Sequence, residues 1–207
     1  MRLYFGGGSD VNGAELGTDW NDRLSLRFSK LVSNNFYAEE YNVSVGGGGN
    51  HRTVRQLLTD FRPISSYDAV IIGMTSKYRT EYHDGKDWKR VKVIGNTPSK
   101  WWLENKLSTQ KEERDFWREY FRIHSDEFFT FNERMYHTTI KNYCKLHNVP
   151  LILIGRREIS DLEFDFCFDE PWISKAPKGH PDEAGHRAIA DRINSILLFN
   201  RDFQKKL

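Results

Sequence analysis

An apolar run that ends in glycines and a serine stands near the start of the chain: residues 3–9 have the sequence Leu-Tyr-Phe-Gly-Gly-Gly-Ser. Three further apolar runs, at residues 41–45, 69–72 and 151–154, also end at a glycine. Continuous apolar runs are typical of strands buried on both faces, and the lengths of chain between them suit crossover helices. We therefore predict an α/β fold in which helices cover a parallel sheet.

Helices are expected in four segments, at residues 24–32, 53–61, 111–146 and 184–199, with the third broken near Ser125. A chain of 207 residues forms one compact domain by default, so we predict a single domain over residues 1–207. Residues 78–105 are polar and aromatic and directly follow a predicted strand, which indicates an inserted loop or lid.

The composition excludes several classes of protein. Hydrophobic residues make up 38% of the chain, which excludes disorder and fibrous proteins. The 31 Lys and Arg residues nearly balance the 29 Asp and Glu residues, so nucleic acid is not an expected partner. No apolar run approaches the length that spans a membrane.

The cysteines and the first residues predict a cytoplasmic protein. Cys144 and Cys167 lack CxxC spacing, which is typical of free thiols in a reducing compartment. Only three apolar residues separate Arg2 from the first glycine run, too few for a secretory signal.

Ser9 lies in the turn that leaves the first predicted strand, just after Gly6-Gly7-Gly8. A turn of small residues lets a serine hydroxyl and its backbone N–H face one open point, so Ser9 is a candidate nucleophile. A helix-capping serine and a phosphate-binding loop are the alternatives, although the loop lacks the Gly-Lys-Ser/Thr ending of nucleotide-binding enzymes.

His180 stands just before the last predicted helix and is the candidate general base. Zinc binding by His180 and His186 is disfavoured, because positions i and i+6 do not share a helix face and no third ligand is evident. We therefore predict no metal, and a packing or capping role for His186.

Two further glycine-containing segments, at residues 45–50 and 73–76, follow the second and third predicted strands. Consecutive glycines allow backbone N–H groups to point inward, and nearby hydroxyl or amide side chains can complete a pocket that stabilises an anion. The alternative is a pair of tight turns.

Together these segments resemble the SGNH hydrolase superfamily, also called GDSL-type esterases, over nearly the whole chain. The resemblance implies a three-layer α/β/α sandwich of the flavodoxin-like type, with no cofactor. It places the nucleophile at Ser9, a backbone oxyanion donor at Gly47 and the activating histidine at His180.

Two blocks around the oxyanion pocket depart from the family pattern. Gly8 replaces the aspartate that precedes the nucleophile. The chain has Met-Thr-Ser at residues 74–76 where the family has an asparagine, so the expected third oxyanion donor is the hydroxyl of Thr75 or Ser76, or the amide of Asn50.

A third departure concerns the acid that orients the histidine. The family has an aspartate three residues before the histidine, and this chain has Pro177 there. A backbone carbonyl, or an acid from elsewhere such as Asp169 or Glu170, is then required.

The residues after the third block are similar to those of members encoded by tailed phages, since Arg79 and Glu81 follow Thr75 and Ser76. This similarity suggests a phage protein made in the host cytoplasm. Arg79 and the pair Trp101 and Trp102 are the expected substrate contacts.

The resemblance implies a serine esterase that removes a small acyl group, such as an O-acetyl group on a carbohydrate. The expected partner is thus a small-molecule or carbohydrate ester, with neither nucleic acid nor membrane. The alternative is a binding or structural module that kept the fold and lost full catalysis. The sequence does not indicate the oligomeric state.

Overall fold

The structure, a computed structural model, describes residues 1–17, 19–91, 111–156 and 162–205. Its strands are β1 (Arg2–Gly7), β2 (Glu39–Asn42), β3 (Ala69–Gly73), β4 (Thr80–His83), β5 (Trp88–Val91), β6 (Leu151–Gly155) and β7 (Phe166–Cys167). Five of them form a parallel sheet in the order β2-β1-β3-β6-β7, while β4 and β5 form an antiparallel hairpin. The predicted α/β class with a parallel sheet is confirmed.

The described helices are α1 (Ser9–Asn12), α2 (Trp20–Leu26), α3 (Phe28–Asn35), α4 (Asn50–Thr59), α5 (Lys111–Ile123), α6 (Asp126–Leu146), α7 (Glu183–Phe199) and α8 (Arg201–Gln204), with a 3₁₀ turn at Ile64–Ser66. The single helix predicted over residues 24–32 is wrong, because Arg27 is extended, with ψ of 144°, and separates α2 from α3. The break near Ser125 is confirmed: the Ser125 side chain caps α6 by accepting a hydrogen bond from the Phe128 N–H.

The second strand differs from the prediction of residues 41–45, since β2 starts earlier and ends at Asn42. It lies at the edge of the sheet, where the carboxylates of Glu39 and Glu40 pair with Arg62 and Arg27. An edge strand has a neighbour on one side only, so β2 is half-buried rather than fully buried.

The two faces of the sheet carry separate apolar cores, because side chains alternate along a strand. Leu3 and Phe5 of β1 pack on one face with the buried residues of α3 and α7, namely Phe28, Val32, Ile189, Ile193 and Leu197. Tyr4 packs on the other face with those of α4 and α6, namely Val54, Leu57, Ile140 and Cys144. The fold is therefore a three-layer α/β/α sandwich, as predicted.

The described part of the segment at residues 78–105 includes the β4–β5 hairpin, which packs against α4. The carboxylate of Glu81 accepts a hydrogen bond from Arg55 Nε at 3.0 Å. The Arg55 guanidinium also lies 4.2 Å from the centre of the Trp88 ring. Residues 92–110, which contain Trp101 and Trp102, lie outside the described residues.

Both cysteines are free thiols. Burial raises the pKa of the Cys144 thiol to about 12, so this group stays protonated at neutral pH. Within the described ranges, no helix is long and apolar enough to cross a membrane.

Candidate active site

The nucleophile candidate stands where β1 turns sharply into α1. Gly7 has φ of +142°, and a Cβ at this position would lie 2.4 Å from the carbonyl oxygen of Gly73 in β3. Only glycine accommodates this close approach. The turn makes Ser9 the first residue of α1, with a residue exposure of 5%.

A tight loop before α7 brings His180 to Ser9. The His180 carbonyl accepts a hydrogen bond from the Ala176 N–H at 2.8 Å, which closes the loop. Asp182 then caps α7 by accepting from the Gly185 N–H. In this position His180 Nε2 lies 3.0 Å from Ser9 Oγ.

Glu15 holds the other side of the His180 ring. Its Oε2 atom lies 2.8 Å from His180 Nδ1, and its carboxylate also accepts hydrogen bonds from the backbone N–H groups of Lys178 and His180. Burial opposes ionisation, but these hydrogen bonds outweigh it and lower the pKa of Glu15. An ionised carboxylate can only accept, so Nδ1 carries the proton and Nε2 is left to accept from the Ser9 hydroxyl.

The carboxylate that contacts the His180 ring is thus that of Glu15. Asp169 instead pairs with Lys175 at 3.1 Å and with Arg156. With Glu15, the described residues contain the serine, imidazole and carboxylate that nucleophilic catalysis on an acyl group requires.

The loop that follows β2 makes a tight turn beside the site. The Gly48 N–H donates to the Val45 carbonyl at 3.0 Å, and Gly47, at the third position of this turn, has φ of +75°. Such a turn requires a positive φ at its third position, which favours glycine. No heavy atom lies within 4 Å of where a Cβ of Gly46 or Gly47 would stand, so this turn faces open space.

Asn50 fixes the loop that follows β3. Its Oδ1 accepts from the Thr75 N–H at 2.8 Å, and its Nδ2 donates to the Thr75 carbonyl at 2.8 Å and to Glu133 Oε1 at 3.3 Å. The amide of Asn50 therefore holds the Thr75 backbone. The hydroxyls of Thr75 and Ser76 are buried and have no partner among the residues that the structure describes.

Two arginines and an aspartate lie close to the strand ends that carry the candidate site. Asp10, which follows the nucleophile, accepts a hydrogen bond from Arg156 at 2.5 Å. Arg79 lies behind Gly8, where a Cβ would stand 3.1 Å from Arg79 Nη1. Burial lowers the pKa of Arg79, the charge of Arg156 lowers it further, and that of Asp10 raises it.

His186 belongs to the core beneath the site. Its Nδ1 accepts a hydrogen bond from the Phe28 N–H at 3.1 Å, and its ring stacks on Phe28. Burial lowers the pKa of His186 to about 4, so the ring is neutral at physiological pH. Over the described ranges, no group of three or more His, Cys, Asp and Glu residues is arranged to hold a metal ion.

Comparison with known proteins rests on structure, since no family model matches the chain and no curated protein matches its sequence. TesA matches with a TM-score of 0.54 and 11% identity, over 95% of this chain and 98% of that chain. A carbohydrate esterase with divergent catalytic and non-catalytic binding functions matches with a TM-score of 0.53 and 13% identity, over 98% of this chain. The chain has the SGNH hydrolase fold.

This chain spans about 66% of the length of that carbohydrate esterase. A family two carbohydrate esterase from Clostridium thermocellum, solved in complex with cellohexaose, matches with a TM-score of 0.50 and 12% identity, over 95% of this chain and 63% of that chain. Identities this low show a shared fold and do not transfer the chemistry of these proteins to this chain.

Sequence reasoning missed Glu15. The available signal was its position, since a carboxylate six residues after Ser9 lies between Gly13 and Gly17 in a turn-rich segment. Glu15 itself has φ of +67°, an uncommon conformation for a residue with a side chain, and such residues cluster at functional sites.

Proposed function

We propose that this protein is a serine esterase that hydrolyses a small acyl ester through Ser9, His180 and Glu15. The observation that carries the proposal is a chain of two contacts, Ser9 Oγ to His180 Nε2 at 3.0 Å and His180 Nδ1 to Glu15 Oε2 at 2.8 Å. A serine hydroxyl becomes nucleophilic when an adjacent base can take its proton and a third group orients that base.

The reaction has two halves. Ser9 Oγ attacks the ester carbonyl carbon while His180 Nε2 takes the hydroxyl proton, and the ionised Glu15 stabilises the imidazolium that forms. His180 then gives the proton to the leaving alcohol, which departs and leaves an acyl group on Ser9. A water molecule, deprotonated by His180, attacks the carbonyl carbon of this acyl group. The bond between that carbon and Ser9 Oγ then breaks as His180 returns the proton to Ser9 Oγ, and the acid is released. The mechanism requires no cofactor.

The negative charge on the carbonyl oxygen needs hydrogen-bond donors aimed at it. We assign this role to the backbone N–H groups of Ser9 and Gly47 and to the hydroxyl of Thr75 or Ser76. Both hydroxyls are buried without a described partner, so either can turn its proton to a substrate oxygen. Asn50 is less suited, because its amide already donates to Thr75 and Glu133.

Within this proposal we favour an O-acetyl group on a carbohydrate as the substrate. Two of the similar structures are carbohydrate esterases, one of them solved with cellohexaose. Arg79 is our candidate for a polar contact to the substrate. Trp101 and Trp102, which lie outside the described residues, remain candidates to stack on sugar rings.

A binding module with the same fold is the second candidate. The observation that favours it is that Asn50, the amide expected as an oxyanion donor, already bonds to the Thr75 backbone. Such a module would keep the fold and bind an ester without turning it over.

A fluorophosphonate probe separates the two candidates, because it reacts with an activated serine and not with an ordinary one. After labelling and peptide mapping, we expect the modification on Ser9, with none in Ser9→Ala. Ser25→Ala is the matched control, since the Ser25 hydroxyl donates to the Asp22 carbonyl of its own helix, and this variant should keep the labelling. Absence of labelling on Ser9 in the folded wild-type protein would contradict the esterase proposal.

A further inference from the structure

One side of the site contains buried polar atoms that have no hydrogen-bond partner in the described ranges. They are the hydroxyls of Thr75 and Ser76, two nitrogens of Arg79, Nε and Nη1, and the Oδ1 atom of Asp10. Native proteins pair nearly all buried polar groups, so each exception calls for an explanation. Other buried atoms without a described partner lie elsewhere in the fold, but the donors of Thr75, Ser76 and Arg79 follow one strand end near the nucleophile. Their grouping points to a ligand that supplies the missing acceptors.

The arginine stands next to the reacting serine. A Cβ at Gly8, the residue before Ser9, would lie 3.1 Å from Arg79 Nη1 and 3.3 Å from Thr75 Oγ1. The SGNH resemblance expects an aspartate at this position, whose carboxylate would meet the guanidinium. With glycine there, this position supplies no carboxylate to the cation.

Arg79 shares its nearby counter-charge with a second arginine. Asp10 attracts the guanidinium and Arg156 repels it. The Asp10 carboxylate is itself bonded to Arg156 at 2.5 Å. Asp169 also pairs with Arg156, at 3.7 Å, but Asp10 is the carboxylate that attracts Arg79, and Arg79 shares it with Arg156. A buried cation without a full counter-charge is unfavourable.

We propose that Arg79 binds an anionic group of the substrate, a carboxylate or a phosphate, so that the ester belongs to a charged molecule such as an O-acylated sugar acid. A guanidinium offers parallel N–H donors that match the two oxygens of such a group. The buried hydroxyls beside it then remain available for the ester oxygen. This inference rests on the proposed esterase function and names its substrate class.

Two pairs of matched esters test the proposal. In the first pair, para-acetoxybenzoate and its methyl ester, the charge lies on the alcohol side. In the second pair, the p-nitrophenyl monoester of adipic acid and p-nitrophenyl hexanoate, the charge lies on the acyl side. For each pair, kcat/KM is measured with the wild type, Arg79→Met, Arg79→Lys and the control Arg187→Met, whose arginine is exposed on α7.

We expect the wild type to prefer the anionic member of at least one pair by about 10- to 100-fold in kcat/KM, as hydrogen bonds to charged groups suggest. Arg79→Met should lose most of this ratio, Arg79→Lys should keep part of it, and Arg187→Met should keep all of it. A wild type without preference in either pair, or an unchanged ratio in Arg79→Met, would overturn the proposal.

Binding separates this proposal from the esterase proposal. Titration calorimetry of the same pairs with Ser9→Ala measures selectivity without turnover, and the anionic member should bind more tightly. If the wild type neither reacts with the fluorophosphonate nor turns over any ester, the esterase proposal fails and the calorimetric preference alone decides the role of Arg79. Equal binding of charged and neutral members would reject the anionic site.

Discussion

The two sides of the site differ in how their polar atoms are paired. On the side of Ser9, His180 and Glu15, both nitrogens of the imidazole have partners, and Glu15 also accepts backbone hydrogen bonds. On the side of Thr75 and Arg79, hydroxyls and guanidinium nitrogens are buried without partners among the residues described. The first side is organised for proton transfer before any ligand arrives, whereas the second side lacks the groups that a ligand would supply.

The largest expected effect is the loss of turnover in Ser9→Ala. Removing the serine of such a catalytic unit lowers kcat by about 10⁶-fold, which should reduce hydrolysis of p-nitrophenyl acetate to the background rate. The Ser9 hydroxyl is buried, but it makes one neutral hydrogen bond worth about 1 kcal/mol, so the melting temperature should fall by only a few degrees. Undiminished turnover in a pure preparation would remove Ser9 from the mechanism.

Glu15→Gln should have the next largest effect. The amide keeps the shape of the side chain but no longer favours the proton on His180 Nδ1, and the corresponding change in serine proteases lowers kcat about 10⁴-fold. Glu183→Gln, at an exposed position on α7, is the control and should retain full activity. Pro177→Asp should bring no gain, because Nδ1 already donates to Glu15. Near-normal kcat in Glu15→Gln would show that another group orients the ring.

For Glu15→Gln we also expect that the loss of stability relative to the wild type depends on pH. The pKa of Glu15 is lowered in the folded protein, so its contribution is present above the ordinary carboxyl pKa of about 4.5 and disappears as pH falls through the folded-state value. The difference in melting temperature between wild type and Glu15→Gln should therefore shrink as the pH falls below about 4.5. A difference that stays constant as the pH falls through this acidic range would contradict the assigned pairing.

Asn50→Ala tests how the Thr75 side of the site is held in place. It removes the amide that pairs with both the N–H and the carbonyl of Thr75, and leaving buried groups unpaired costs about 1–3 kcal/mol. We expect a lower free energy of unfolding in urea, and a fall in kcat of about tenfold because the loop of Thr75 loses its position. Asn34→Ala, at an exposed position in α3, is the control. An unchanged free energy of unfolding would show that contacts other than those of Asn50 hold the loop of Thr75 in place.

The smallest expected effect is a gain in stability in Arg79→Met. Methionine is apolar and of similar length, so it removes the buried unpaired nitrogens and should raise the melting temperature by about 2–4 °C, which corresponds to about 1 kcal/mol. Glu15→Gln should do the opposite at neutral pH, because it breaks satisfied contacts. A marked fall in the melting temperature of Arg79→Met would mean that Arg79 stabilises the fold.

The sequence predicted some strands correctly and others not, and the difference has physical reasons. Glycine-terminated apolar runs placed β1, β3 and β6 well, since strands buried on both faces need continuous apolar residues. The same rule misplaced β2, because an edge strand tolerates Glu39 and Glu40. The sequence did not predict the hairpin of β4 and β5, because polar residues make up at least half of each strand and no continuous apolar run marks them.

By itself, the sequence determined the α/β class, the parallel sheet, and the presence of a serine and a histidine on segments that meet at the carboxyl ends of the strands. These follow from local patterns, because burial dictates apolar runs and tight turns dictate glycines. Only the tertiary structure selected Glu15 as the partner of His180, a contact between residues 165 positions apart in the chain. It alone also showed that Asn50 holds a backbone and that Arg79 is buried unpaired. Such pairings depend on how loops from distant strands pack together, and no local pattern encodes them.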